Sequence, residues 1–139
     1  MNAKEYLKQL TKLNTLINDK IAERQLWLDI ALSVTPSVGG ERVQYSGSQQ
    51  KMANAVSRCV DIEREIDRAI DELYGKRQEI IRQLEKLPEK EYDVLHKRYV
   101  QGMYLADIAE SRGQAYNTVA GIQTNGIKML EIILNNKEN

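Results

Sequence analysis

Met52, Cys59, Ile66, Leu73, Ile80 and Leu87 stand seven residues apart, and Val56, Ile70 and Leu84 supply a second apolar position in the same repeat. An apolar seam recurring every seven residues commits a chain to a helix that packs lengthwise against another helix. Ala55, Ile62 and Ala69 widen the stripe, while Glu63 and Arg77 interrupt the second seam position, where the contact is expected to loosen. Charges alternate along this stretch, eight of each sign between Gln49 and Leu87. That is the pattern of a solvated helical face supported by pairs such as Asp61–Arg64, Glu65–Arg68 and Glu72–Lys76.

A partner for this helix lies upstream. From about Ala3 to Val34, apolar residues recur at helical spacing (Leu7, Leu10, Leu13, Ile17, Ile21, Leu28, Leu32) with no Gly or Pro among them. Pro36, Gly39, Gly40 and Gly47 then mark a loop, and Ser46 with Gln49 forms a capping box at the start of the second helix. Two helices of similar length joined by a loop make an antiparallel hairpin the simplest arrangement. Self-association is the competing way to cover the broad stripe. The absence of Phe, with one Trp and two Pro, fits burial along aliphatic seams rather than around an aromatic core.

Pro88 ends the long helix and suits the first turn of another, where Glu89 and Glu91 favour the helix dipole. A third helix is expected to about Gln101, closed by Gly102, then a short helix from about Leu105 to Arg112 and a last one from about Tyr116 to Leu134. The expected organisation is all-α: a helical hairpin over 1–87 and a small helix-turn-helix domain over 88–139.

Inside the second part, the spacing of three residues is informative. Ala109 lets two helices cross closely, Gly113 takes the left-handed turn, and Val119 locks the second helix, with Ile108, Ile122 and Ile127 packed around them. Leu87-Pro88, Val94-Leu95-His96-Lys97-Arg98-Tyr99, Gly102, Asp107-Ile108-Ala109, Gly113 and Thr118-Val119 resemble region 4 of the sigma-70 factors. That resemblance covers roughly the last fifty residues. It implies promoter recognition and docking on RNA polymerase. Over its whole length the chain is similar to a family of phage and prophage proteins of Gram-positive bacteria. Their marks here are the opening Met1-Asn2-Ala3-Lys4-Glu5-Tyr6-Leu7, then Gly39-Gly40-Glu41-Arg42-Val43-Gln44 and Ser46-Gly47-Ser48-Gln49. Phage late-transcription regulators of the ArpU type look like relatives, which implies a phage-encoded DNA-binding transcriptional regulator.

Under that resemblance the DNA-binding residues are Gln114, Tyr116, Asn117, Thr118, Ala120, Gln123, Thr124 and Lys128. Asn117 and Gln123 have the amide geometry to pair with adenine edges, and Thr118 or Ala120 can touch a thymine methyl. Gln114, Thr124 and Lys128 suit phosphates. The chain departs from the sigma pattern in charge. Pro88 to Leu134 holds five basic and six acidic residues, so a single copy is expected to bind DNA weakly. Tyr104 replaces the usual Ser or Thr cap of the short helix.

Other residues carry no chemistry. His96 is the only histidine and Cys59 the only cysteine, so neither a His pair nor an internal disulfide can form. The carboxylates alternate with cations rather than converge, and Gly39-Gly40 lacks the Lys-Ser/Thr of a phosphate loop. No enzyme, cofactor or metal is expected. No apolar run approaches the roughly 18 residues that span a bilayer, and the N-terminus lacks a signal peptide's apolar core. The expected location is the cytoplasm of a host bacterial cell. The expected partners are double-stranded DNA and, beyond it, host RNA polymerase and a second copy of the chain. Competing functions are a protein-interaction module that grips polymerase or a host factor without reading DNA, and a small-terminase-like packaging protein.

Overall fold

Asn2 starts the first helix: its Oδ1 accepts the N–H of Glu5 at 2.8 Å, satisfying one of the donors that a helix start leaves free. The computed structural model describes residues 2–33 and 45–138, and every regular element among them is helical. The protein is all-α. Its elements are α1 (Ala3–Ser33), α2 (Tyr45–Leu84), α3 (Glu89–Leu95) continued by a π-helical turn (His96–Val100), α4 (Leu105–Arg112) and α5 (Tyr116–Glu138). The expected loop at Pro36, Gly39 and Gly40 lies outside the described residues. Helix α2 begins at Tyr45, so Gly47 and Ser46, expected in the loop and at its cap, fall within the helix. Pro88 precedes α3 as its cap residue instead of opening it. Shifts of this size are normal at helix ends.

Packing divides the chain elsewhere than at Pro88. One unit is Met1–Asn14 with Glu72–Asn139, the other Thr15–Asp71. The reason is visible in the first core. Ala3, Tyr6, Leu7 and Leu10 of α1, Ile80 and Leu84 of α2, and Leu87 are buried together with Leu95, Tyr99, Val100 and Leu130. Both ends of the chain therefore share one apolar interior. Each fully buried Leu or Ile there contributes about 1.5–3 kcal/mol. A second, smaller core of Val94, Ile108, Ala109, Val119 and Ile122 joins α3, α4 and α5. Arg77, expected to interrupt a seam, instead donates from Nη2 to the carbonyl of Val100 at 3.2 Å, satisfying the end of the π turn.

In the Thr15–Asp71 unit, the ion pairs Lys20–Glu65 (3.0 Å), Arg58–Glu23 (3.1 Å) and Arg24–Glu63 (3.9 Å) link α1 to α2, and the two shorter ones pair a rising position on α1 with a falling one on α2. The two segments run antiparallel there. The Cys59 thiol donates to the carbonyl of Arg24 at 3.7 Å. Cross-helix pairing takes charges that the sequence pattern had assigned to neighbours within α2. The carboxyl of Glu65 is held below its usual range, chiefly by the hydrogen bond from Lys20, with burial opposing and Lys20, Arg58 and Arg68 adding attraction.

The buried stripe of α2 in this unit also differs from the expected one. Ala55, Cys59, Ile62, Ile66 and Ala69 are buried, whereas Val56 (49 %) and Ile70 (47 %) are exposed. The companion seam is thus the position three residues after each heptad residue rather than four, and Glu63 borders the seam without breaking it. At about 100° per residue, Lys20 and Glu23 leave α1 on one flank of this unit, and Arg58 and Glu65 leave α2 on the same flank. The opposite flank carries Ile21, Leu28 and Leu32 of α1 and Met52, Val56, Val60 and Ile70 of α2, each at least 37 % exposed. Neither flank is of one kind: Leu16 and Ile30 are exposed on the first, and Glu63, paired with Arg24, stands among the apolar side chains of the second.

Candidate nucleic-acid interface

Helices α4 and α5 meet through a turn whose residues are set by backbone needs. Gly113 sits at φ 64°, ψ 35°, the left-handed region that a side chain disfavours. Its N–H donates to Glu110 O at 3.1 Å, and Gln114 N–H donates to Ala109 O at 3.0 Å. Those two bonds satisfy carbonyls at the end of α4 in a Schellman arrangement. Ala109 and Val119 are buried on the inner sides of the two helices. At its other end, α4 receives no side-chain bond from Tyr104.

Outside the turn, Arg112 fastens α4 to α3. Its Nη1 reaches Asp93 Oδ2 at 2.6 Å, and Lys97 Nζ reaches the same oxygen at 3.1 Å. Burial raises the pKa of Asp93, but the bonds and charges of Lys97 and Arg112 outweigh it and hold the carboxyl below its ordinary value. Arg112 Nε also donates to Gln114 Oε1 at 2.8 Å. Gln114 is exposed, but its amide oxygen is engaged in bracing the turn.

Helix α5 turns Val119, Ile122, Gly126 and Leu130 inward. Asn117, Gly121, Thr124 and Lys128 fall on one row at spacings of four, three and four, and all are exposed. Tyr116 and Thr118 are exposed beside that row, and Ala120 is half-buried. The Thr124 hydroxyl donates back to Ala120 O at 3.0 Å. Gln123 does not belong to this surface. It follows Asn117 by six positions, which places it on the far side of the helix beside the core face, and its Oε1 is buried without a hydrogen-bond partner. The structure therefore gathers Asn117, Thr124 and Lys128 on one row, leaves Thr118 exposed about a quarter turn away, and sets Gln123 apart.

Close packing holds α5 in place. Asn125 Nδ2 donates to Oε1 of the buried Glu91 at 3.1 Å. Gly126 lets the helix approach α3: a Cβ there would lie 3.0 Å from Leu95 Cδ1 and 3.3 Å from Glu91 Cβ.

His96 lies in the π turn, with Nδ1 2.8 Å from Gln101 Nε2 and its ring 5.4 Å from that of Tyr92. Burial lowers its pKa, more than the charge of Asp93 raises it. Among the described residues no group of three or more His, Cys, Asp or Glu is placed to hold a metal ion, and no helix is long and apolar enough to cross a membrane.

One polar feature of this unit escaped sequence reasoning. Lys8, Thr11 and Lys12 of α1 border a cleft with Arg98, Tyr99 and Gly102. The spacing of Lys8 and Lys12 places them on one helix face, but nothing in the sequence links that face to Arg98.

No family model, curated protein or solved structure matches the chain.

Proposed function

We propose that the chain is a phage-encoded transcriptional regulator that reads duplex DNA with the outward row of α5, acting with host RNA polymerase at phage promoters inside the host cell. The observation that carries this reading is the row itself. Asn117, Thr124 and Lys128 are polar and exposed, with Thr118 exposed beside them, on a helix whose opposite face is locked by Val119, Ile122 and Gly126. A rigid backing with a polar outer edge of this kind suits major-groove contact, in which an Asn amide pairs with adenine and a Thr methyl touches thymine. The link to polymerase and to phages rests on the sigma-like and prophage-like motifs of the sequence.

Selection from a random duplex library tests it. The wild-type chain is expected to enrich a consensus, and Asn117→Ala to lose discrimination at one base pair by about 1–3 kcal/mol. A library that emerges unenriched would refute DNA reading and leave the polymerase-binding module as the better account.

Two copies of the chain act together. The exposed apolar side chains on the second flank of Thr15–Asp71 leave on the order of 600 Å² per copy, so a pair buries about 1,200 Å², the lower edge of a specific interface. Doubling also compensates for the few cations on α4 and α5, because two reading helices share one DNA molecule.

A further inference from the structure

We infer that the cleft between the start of α1 and the π turn is a phosphate-binding site, and that the phosphate it takes comes from the backbone of duplex DNA. The cleft measures about 330 Å³ and is bordered by Lys8, Thr11, Lys12, Arg98, Tyr99 and Gly102. Three cations and the hydroxyl-bearing Thr11 and Tyr99 border it, and no carboxylate does. Among the described residues, Lys20, Arg24, Arg58, Lys76, Lys97 and Arg112 are held in ion pairs. Lys8 and Lys12 make no ion pair among the described residues.

Arg98 is positioned in advance. Its Nη1 donates to Met103 O at 3.1 Å, and its guanidinium lies 6.0 Å from the centre of the Tyr99 ring. A guanidinium carries five N–H donors in a planar fork, and this one spends a single donor on Met103. The π turn from His96 to Val100 and the left-handed Gly102 (φ 72°) place it there, closed by Met103 N–H donating to Lys97 O at 2.9 Å. Single π turns recur at functional sites because they re-aim side chains. A fork, two ammonium groups and a hydroxyl around one concavity match the oxyanion face of a phosphate.

The DNA source rests on the proposed reading of α5. Pro88 to Leu134 holds five basic residues against six acidic ones, too few for the backbone neutralisation that underlies DNA affinity. Lys8 and Lys12 belong to the same packed unit as α5 and supply charge that the C-terminal sequence lacks. Gly102 sits in the turn that leads directly into α4.

Backbone-amide NMR of the full chain, titrated with inorganic phosphate and separately with duplex DNA, tests both parts. The amides of Thr11 and Gly102 are expected to shift with millimolar phosphate. The double variant Lys8→Gln, Lys12→Gln should lose those shifts while its remaining spectrum stays native. With DNA, its plot of log affinity against log salt should be shallower by about two. Cleft amides that ignore phosphate overturn the site. If phosphate binds but the variant keeps the wild-type salt slope, DNA is overturned as the source and a free phosphorylated compound takes its place. If phosphate binds and the wild-type chain binds no DNA at all, the reading of α5 fails with the DNA source while the phosphate site stands.

Discussion

Arg112 Nη1 and Asp93 Oδ2 lie 2.6 Å apart, joining the last turn of α4 to α3 immediately before the bend at Gly113. This pair fixes the angle from which α5 departs. Because Asp93 is held below its unfolded value, it contributes stability that is present above the ordinary aspartate range and is lost as pH falls through the depressed value. Asp93→Asn is expected to cost about 1 kcal/mol at neutral pH, discounted for partial exposure, and to flatten the acid limb of the stability curve. Thermal melts from neutral pH down to pH ~2 read this directly; parallel acid limbs in the two proteins would show that the pair contributes nothing.

Two glycines of α5 should respond with opposite signs. Gly126→Ala pushes a methyl against Leu95 and Glu91 and is expected to destabilise by about 1–3 kcal/mol. Gly121 has nothing within 4 Å of an added Cβ, so Gly121→Ala should stabilise by about 0.5–1 kcal/mol through lower backbone entropy in the unfolded chain. Urea unfolding of the two variants checks the pair. Equal effects would mean that α5 does not press on α3 at Gly126.

Tyr6 is buried and its hydroxyl has no hydrogen-bond partner. Burial, and then the charge of Glu79, raise its pKa from 10.0 to about 12. A raised value means that this residue's contribution is intact below pH ~10 and is lost as pH climbs through about 12. Burial raises Tyr99 in the same direction against the attraction of Arg98. Tyr6→Phe is expected to be neutral or stabilising by up to about 1 kcal/mol, since it removes an unsatisfied polar atom, and to delay alkaline unfolding. Circular dichroism between pH 9 and 12 follows the transition; earlier alkaline unfolding in the variant would contradict this placement of Tyr6.

The exposed Val56 and Ile70 of the Thr15–Asp71 unit predict concentration-dependent association. Val56→Gln with Ile70→Gln is expected to weaken a dimer by about 2 kcal/mol, a shift of roughly thirtyfold in dissociation constant, with little change in monomer helicity. Sedimentation velocity measures it. A wild-type chain that stays monomeric at high concentration would rule out this use of the flank.

Helix identity was the most legible part of the sequence, because unbroken 3.6-residue periodicity and punctuation by Pro88, Gly102 and Gly113 are local signals. Seam choice was less legible. Val56 and Ala55 fit the heptad equally well by pattern, and which is buried depends on the angle at which α1 approaches. Small Ala55 and Ala69 at the contact let the backbones close together, which turns the larger Val56 and Ile70 outward. Charge pairing failed for the same reason: Glu65 has Arg68 nearby in sequence but meets Lys20 in space. On the outward side of α5, Asn117, Thr124 and Lys128 could be placed on one row by counting, and the same counting, applied strictly, would have removed Gln123 and set Thr118 beside the row. The Lys8–Arg98 cleft had no local signal at all.

Because Ala3, Tyr6, Leu7 and Leu10 are covered by Ile80, Leu84, Leu95 and Leu130, the start of α1 has no finished interior until Leu130 has been synthesised. A premature stop before Leu130 would therefore leave this apolar stretch of α1 unsheltered and open to chaperones or aggregation, rather than give a smaller working version of the protein.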